Sequence, residues 1–356
     1  MSAGDVIEVR PDETFDESRL LEWLREQDLP GVEGAMCVRQ FGGGKANLTY
    51  LLEFDQARYV LRRPPLGEVP RGAHDMAREF RVLSRLYREF PPAPRAWVFS
   101  DDHDIIGADF FIMEYRRGVV VREQMPSEFA EMDDAPERMS FALVDALADL
   151  HRIDPDTVGL GELGRPQGFI ERQIEGWYKR WQAAALDPVE EMDRVCQWLR
   201  EQLPDSQRVS LIHNDYKLDN AMLADDDPGR IVAVFDWDMC TLGDPLSDLG
   251  ALLTYWTQAD DPAEFKAMAM MPIDARFPSR EQLVERYARR SGLDVGSAAF
   301  YHVLGLFRLA VILQQIFIRF HRGQTRDRRF AGYGELARLA ARRALATAAR
   351  DFPGEP

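Results

Sequence analysis

The stretch LIHNDYKLDNAMLADDDPGRIVAVFDWDMCTLGDP, residues 211–245, constrains the fold more than any other part of the chain. Two short apolar runs, NAML and RIVAVF, are joined by ADDDPG, whose Asp, Pro and Gly favour a tight reversal. A hairpin centred near Asp227 or Pro228 sets Asn220 and Asp236 roughly opposite one another at its open end. Asp215 lies in the loop before it. Three oxygen-bearing side chains then converge on one spot, which suits a hard octahedral cation held partly by protein and partly by phosphate oxygens. Taken singly, each also reads as a turn residue or a strand-end cap; the set, at this spacing, favours the cation.

The chain has 356 residues, enough to bury a full core and to divide into two lobes. With 46% hydrophobic and 29% charged residues it reads as an ordinary globular protein. Sixty acids against 44 bases, net −16, argue against a nucleic-acid partner, because phosphate backbones are bound by clustered positive charge. Cys37, Cys196 and Cys240 lie far apart without CxxC spacing, so neither a disulfide framework nor a zinc site is expected, and a reducing cytoplasm fits. The first residues carry acids and no apolar run, so no signal peptide is expected. Residues 300–320 are strongly apolar, but Arg308, Gln314, Gln315 and Arg319 interrupt them, which points to a buried helix rather than a membrane span.

Periodicity gives a strand-rich first third and a helical remainder. Residues 15–28 read as a helix capped near Asp16, with Leu20, Leu21 and Leu24 inward. CVRQFGGGKANLTYLLEF and ARYVLRRPP read as three strands, and residues 74–90 as a helix with Met76, Phe80, Leu83 and Tyr87 on one face. Two further strands flank an acidic turn before Gly118. Five strands with one inserted helix thus form a first lobe over 1–118, and a mainly helical lobe fills 119–356. Between strands, Gly42, Gly43 and Gly44 offer backbone N–H groups that can approach phosphate without a Cβ in the way, though a plain hairpin turn has the same composition. Glu79 falls on the apolar face of its helix, where an unpaired carboxylate is costly, so a buried cation is expected beside it, with Arg62 the candidate. In GDPLSDLG, Asp244 reads as a helix N-cap with Pro245 at the first helical position.

HNDYKLDN resembles the kinase catalytic loop, with Asn220 five residues after Asp215 and Asp236 where a metal-binding Asp follows. Its variant form, continuing VFDWDMCTLGDPLSDLG, is similar to the aminoglycoside phosphotransferase family of kinase-like enzymes. VLRRPPLG, AHDMAREFRVL and LADLHRIDP are especially similar to the kinase-like domain fused to certain animal acyl-CoA dehydrogenases, and the likeness runs over roughly residues 30–330. The resemblance implies an α+β, protein-kinase-like two-lobed fold that uses ATP and Mg2+. It casts Asp215 as the residue that takes or orients the acceptor hydroxyl proton, and Lys217 as a contact to the moving phosphoryl group or a solvated loop lysine. Asn220 and Asp236 would hold the metal, with Asp238 a second metal contact or a surface acid.

His213 would brace the loop, and Asp248 would tie the following helix to it. Asn47 stands where GxGxxG has its last glycine, and Arg62 stands where the phosphate-holding lysine is expected. The backbone at Glu114 and Tyr115 would form the adenine hinge. For the acceptor, the resemblance to dehydrogenase-linked domains implies a hydroxyacyl-CoA or hydroxy acid, and the family as a whole implies an aminoglycoside. A nucleotide-binding regulator without turnover is the alternative that Arg62 and Asn47 leave open. Trp177, Tyr178, Trp181, Phe307 and Phe317, on helices over 170–181 and 300–320, would line an acceptor pocket or simply pack the core.

Overall fold

Asp16 and Asp75 open the first two helices by the same local chemistry. Asp16 accepts from Arg19 N–H at 3.0 Å and Asp75 from Arg78 N–H at 2.9 Å, each satisfying a donor that the first helical turn leaves free. The computed structural model describes residues 6–42, 47–67, 74–325 and 327–350. In chain order the elements are β1 (Val6–Ile7), α1 (Glu17–Arg25), β2 (Cys37–Phe41), β3 (Leu48–Glu53), β4 (Arg58–Arg63), α2 (Met76–Leu86), β5 (Ala96–Ser100), α3 (His103–Ile106), β6 (Phe110–Glu114) and β7 (Val119–Val120). There follow α4 (Ala135–Arg152), α5 (Phe169–Ala184), α6 (Glu190–Glu201), β8 (Ser210–Ile212), β9 (Ala221–Ala224), β10 (Asp227–Val234) and β11 (Thr241–Gly243). The chain closes with α7 (Leu246–Tyr255), α8 (Ala263–Lys266), α9 (Arg280–Ser291), α10 (Ala298–His321) and α11 (Tyr333–Arg350).

These elements divide into two compact units. One comprises the chain up to Val120 with Asp156–Leu160 and Asn220–Cys240; the other comprises Val121–Pro155, Gly161–Asp219 and the chain from Thr241 onward. The boundary near Val120 lies close to the 118/119 division drawn from the sequence. The hairpin, however, groups with the first unit, because β9 pairs with β7 (Val119↔Leu223, Val120↔Met222). Gly118 permits that approach: a Cβ there would sit 2.2 Å from the Leu223 carbonyl oxygen.

The first unit is built on a six-stranded sheet in the order β1-β2-β3-β4-β6-β5, one strand more than the five expected. The added strand is Val6–Ile7 against Phe41 and Gln40. Period-two alternation sorts its faces. Tyr50, Leu52, Tyr59, Leu61, Phe110 and Ile112 meet Leu20 and Leu24 of α1 and Ile105 and Ile106 of α3 in one apolar cluster. Val60, Arg62 and Phe111 therefore point the other way, towards α2, whose Phe80 ring lies 6.4 Å from that of Phe111. The acidic turn between the last two strands of the sheet folds as the short helix α3, capped by Asp102 and ended by Gly107 at φ 80°.

The hairpin turns at Asp225 and Asp226, two residues before the position expected from its composition. Register shifts after Asp227 and after Ile231 absorb Pro228 and Gly229 into β10 as irregular strand. Buried Trp237 anchors the end of the hairpin in this unit, its ring 6.0 Å from that of Phe90 and its Nε1 donating to Val234 O at 2.7 Å.

The second unit is helical around α10, with a two-stranded ribbon of β8 and β11. α10 buries Phe300, Tyr301, Leu306, Phe307 and Ile318. It meets α7 through facing glycines: a Cβ on Gly250 would lie 2.2 Å from the Tyr301 carbonyl oxygen, and one on Gly305 would lie 2.8 Å from that of Gly250. α7 begins at Leu246, one residue later than expected, with Pro245 at the N-cap position. Asp244 still serves the helix entrance, accepting from Leu246 N–H at 2.9 Å and from the Tyr301 hydroxyl at 2.8 Å.

Candidate functional site

In the first unit, strand alternation turns Arg62 of β4 towards α2, and helical periodicity turns Glu79 of α2 towards the sheet. Arg62 Nε donates to Glu79 Oε2 at 2.8 Å, so the buried carboxylate has the cation its position requires. Glu79 is 1% exposed. Burial costs its charge more than Arg62 returns, and its carboxyl is pushed up to about 7. For Arg62, burial works against the charge, but Glu79 and Asp236 outweigh it and hold the guanidinium above its ordinary value. The guanidinium also donates, through Nη2, to Asp236 Oδ1. A lysine could not span both carboxylates with one fork of donors; an arginine can.

Asp236 follows the last residues of β10 in the left-handed region, φ 69°, a conformation uncommon outside glycine. Phe235 N–H donates to Asn220 O at 2.8 Å, which brings the hairpin's open end together beside these two side chains. Asn220, Asp236 and Asp238 are all partly exposed oxygen donors. Asp236 keeps Oδ1 on Arg62. Among the described residues no group of three His, Cys, Asp or Glu makes a metal cage. Hard oxygen donors in this number fit a magnesium ion that brings phosphate and water oxygens of its own.

Gly42 is a turn residue whose carbonyl accepts from Arg10 Nη2 at 3.2 Å; Gly43 and Gly44 lie outside the described residues. Asn47 is 3% exposed. Its Oδ1 lies 2.7 Å from His74 Nδ1, and its Nδ2 has no partner among the described residues. Sequence reasoning passed over His74, which holds φ 58° just before the α2 cap; burial, then Arg62, lower its imidazole below the ordinary value. At the proposed hinge, Glu114 N–H already donates to Arg95 O at 2.9 Å. Tyr115 packs under Arg58, whose guanidinium carbon is 5.8 Å from the ring centroid.

In the second unit, the loop from His213 to Asp219 is fixed from behind by Asp248. The Asp248 carboxylate accepts from His213 N–H at 2.6 Å and from Asn214 N–H at 2.7 Å, and His151 Nε2 lies 3.2 Å away. His151 in turn contacts the Tyr287 hydroxyl at 2.7 Å, a buried brace absent from the sequence reading. Burial raises the Asp248 carboxyl, but His151 and the loop amides more than compensate, and it sits below its ordinary value. Asn214 takes the left-handed turn, φ 66°, and presents Asp215. Lys217 Nζ donates to Asp215 Oδ2 at 2.8 Å and lies 5.1 Å from the Tyr255 ring centroid. Burial opposes the ammonium charge, yet Asp215 and Asp219 keep it above its ordinary value. Of the expected aromatic lining, Trp177, Trp181 and Phe307 are buried in the helical packing, while Tyr178 and Phe317 are half-buried.

The family model for the phosphotransferase enzyme family (APH) matches residues 38–281. Acyl-CoA dehydrogenase family member 11 of Rattus norvegicus is 33% identical over 326 residues, covering 90% of this chain and 41% of the relative. The chain thus spans about two fifths of that relative's length. A Ralstonia eutropha structure assigned to the aminoglycoside phosphotransferases superposes with a TM-score of 0.81 at 29% identity, covering 95% of this chain and 99% of that one. The aminoglycoside phosphotransferase APH(4)-Ia, in ternary complex with AMP-PNP and hygromycin B, superposes with a TM-score of 0.59 at 17% identity, covering 93% and 99%. The α+β arrangement described above is that of the kinase-like phosphotransferases.

Proposed function

Because the chain belongs to the phosphotransferase enzyme family, we propose that it moves the γ-phosphoryl group of ATP onto a hydroxyl of a small molecule with magnesium. The observation that carries this reading is the Arg62 guanidinium, fixed between buried Glu79 and the hairpin carboxylate Asp236. It is a positive charge that cannot be neutralised, beside hard oxygen donors. Arg62 would grip nucleotide phosphate with the donors that its two carboxylates leave over, and Glu79 would keep its fork oriented. Asn220 and Asp236 would hold magnesium, and Asp238 would add a further oxygen. Held by these residues, a magnesium ion would supply positive charge against the phosphate oxygens.

Asn47, with the turn at Gly42, would face the phosphates. The adenine edge would take the backbone carbonyl of Glu114 and a donor beyond it, since the Glu114 N–H is engaged. On the acceptor side, Asp215 would receive the hydrogen bond of the attacking hydroxyl and orient its lone pair. Lys217, which clamps Asp215 at rest, would swing its ammonium to the oxygens of the transferring group. Asp248 acts through the loop as a positioning residue.

For the acceptor we propose a hydroxyacyl-CoA or a related hydroxy acid, a class supported by the name of the 33% identical relative. The test is ADP formation from ATP with and without magnesium, with hydroxyacyl-CoAs and aminoglycosides as rival acceptors. Magnesium-dependent turnover stimulated by the hydroxyacyl compounds is expected. Stimulation by aminoglycosides alone would transfer the chain to the antibiotic kinases, and no magnesium-dependent turnover would remove the proposal.

A further inference from the structure

Asp219, four residues after Asp215 in the same loop, has a carboxylate oxygen, Oδ1, that is buried and without a partner among the described residues. Buried polar atoms are nearly always hydrogen-bonded, so an unfilled one beside reactive residues calls for a ligand or a water. Asp219 also lines a cavity of about 10 Å³ with Lys217, Leu252, Tyr255, Met270 and Met271. That space admits one water-sized group. Beside the Asp219 carboxylate, its polar walls are the Lys217 ammonium, which carries protons without accepting any, and the Tyr255 hydroxyl, a weaker acceptor than a carboxylate. A single donor group entering it therefore has one strong acceptor to meet.

We infer that Asp219 is a specificity-determining residue, its buried oxygen accepting a hydrogen bond from a second hydroxyl or an ammonium that the acceptor carries near the hydroxyl to be phosphorylated. This rests on the proposed phosphotransfer, with Asp215 at the reacting hydroxyl, and it narrows the acceptor class. A donor placed there replaces the water and keeps its hydrogen bond, whereas a bare methyl displaces the water and leaves the carboxylate stranded. The methionines, unbranched and adaptable, cover the neighbouring carbon atoms.

Lactate, glycerate and isoserine differ only in bearing hydrogen, hydroxyl or ammonium on the terminal carbon, and each serves as a probe both as the free acid and as the CoA thioester. With ATP and magnesium, glycerate or isoserine forms are expected to show a kcat/KM at least about tenfold above the lactate form, the worth of one buried hydrogen bond. Asp219→Leu should bring that ratio to within about twofold, mainly through KM, while Asp219→Asn, which keeps an oxygen, retains part of it. Because Oδ1 meets no protein donor among the described residues, the melting temperature of Asp219→Leu should be no lower than that of the wild type. Equal use of the three compounds, a preference that survives Asp219→Leu, or a fall in melting temperature would overturn the assignment of Asp219 alone. Absence of magnesium-dependent turnover with every compound would overturn it together with the phosphotransfer reading.

Discussion

Replacing Glu79 by glutamine removes a charge while keeping an acceptor for Arg62, and it isolates the energetics of the buried pair. The Glu79 carboxyl rises from an ordinary 4.5 to about 7, and at about 1.4 kcal/mol per pH unit that interval makes its ionisation cost about 3 kcal/mol of stability. The sign follows from the direction of the shift. A folded-state value above the unfolded one means the contribution is fully present below 4.5 and is lost as pH rises through about 7. Glu79→Gln does not titrate, so its stability relative to the wild type should climb by about 3 kcal/mol across that window and then level off. Urea unfolding at a series of pH values from about 4 to about 8, with the two proteins compared at each, reads the difference directly. Taking the difference cancels the other carboxylates, several of which are held low and act in the opposite sense. Parallel curves would mean that Arg62 fully compensates the buried charge. A relative loss of stability in Glu79→Gln as pH rises would mean that the pair is net stabilising, and either result would refute the reasoning.

Asp248→Asn places an amide where one carboxylate serves two loop N–H groups, and it should destabilise the chain by about 2–3 kcal/mol in urea unfolding; a loss below about 0.5 kcal/mol would show that the loop holds itself. Gly250→Ala sets a Cβ against a helix carbonyl that cannot retreat, so a loss of at least about 3 kcal/mol, or failure to fold, is expected by the same measurement. Wild-type stability in that variant would mean that α7 and α10 pack less closely than described.

The parts of this fold that were legible in the sequence are those where one local rule acts alone. Asp16 announced its helix as a cap. Glu79 announced a buried cation because a helical wheel places it between Leu83 and Leu86, on the face of Met76 and Phe80. The share of Asp236 in that cation was not legible, since it lies 174 residues from Arg62 and depends on where the hairpin docks. The hairpin turn was misplaced because Pro228 and Gly229 look like a turn, while the bulges that carry them as strand leave no local signature. A two-residue strand such as Val6–Ile7 is too short to show alternation. His151 could have been suspected as a histidine ending an apolar helix, but its partners Asp248 and Tyr287 come from 97 and 136 residues away. Asp219 carries no signal of its own in HNDYKLDN, because the burial of its Oδ1 arises only when the loop is folded.

The most direct measurement is of Asp215→Asn, a change that keeps shape and hydrogen bonding while removing the proton acceptor. Nucleotide affinity and ATP-to-acceptor transfer are followed in the same preparation. Affinity within about twofold of the wild type, with transfer reduced by about 10²–10⁴-fold, is the predicted result. Transfer at the wild-type rate would contradict the account, because no other carboxylate in the His213–Asp219 loop has been given that role.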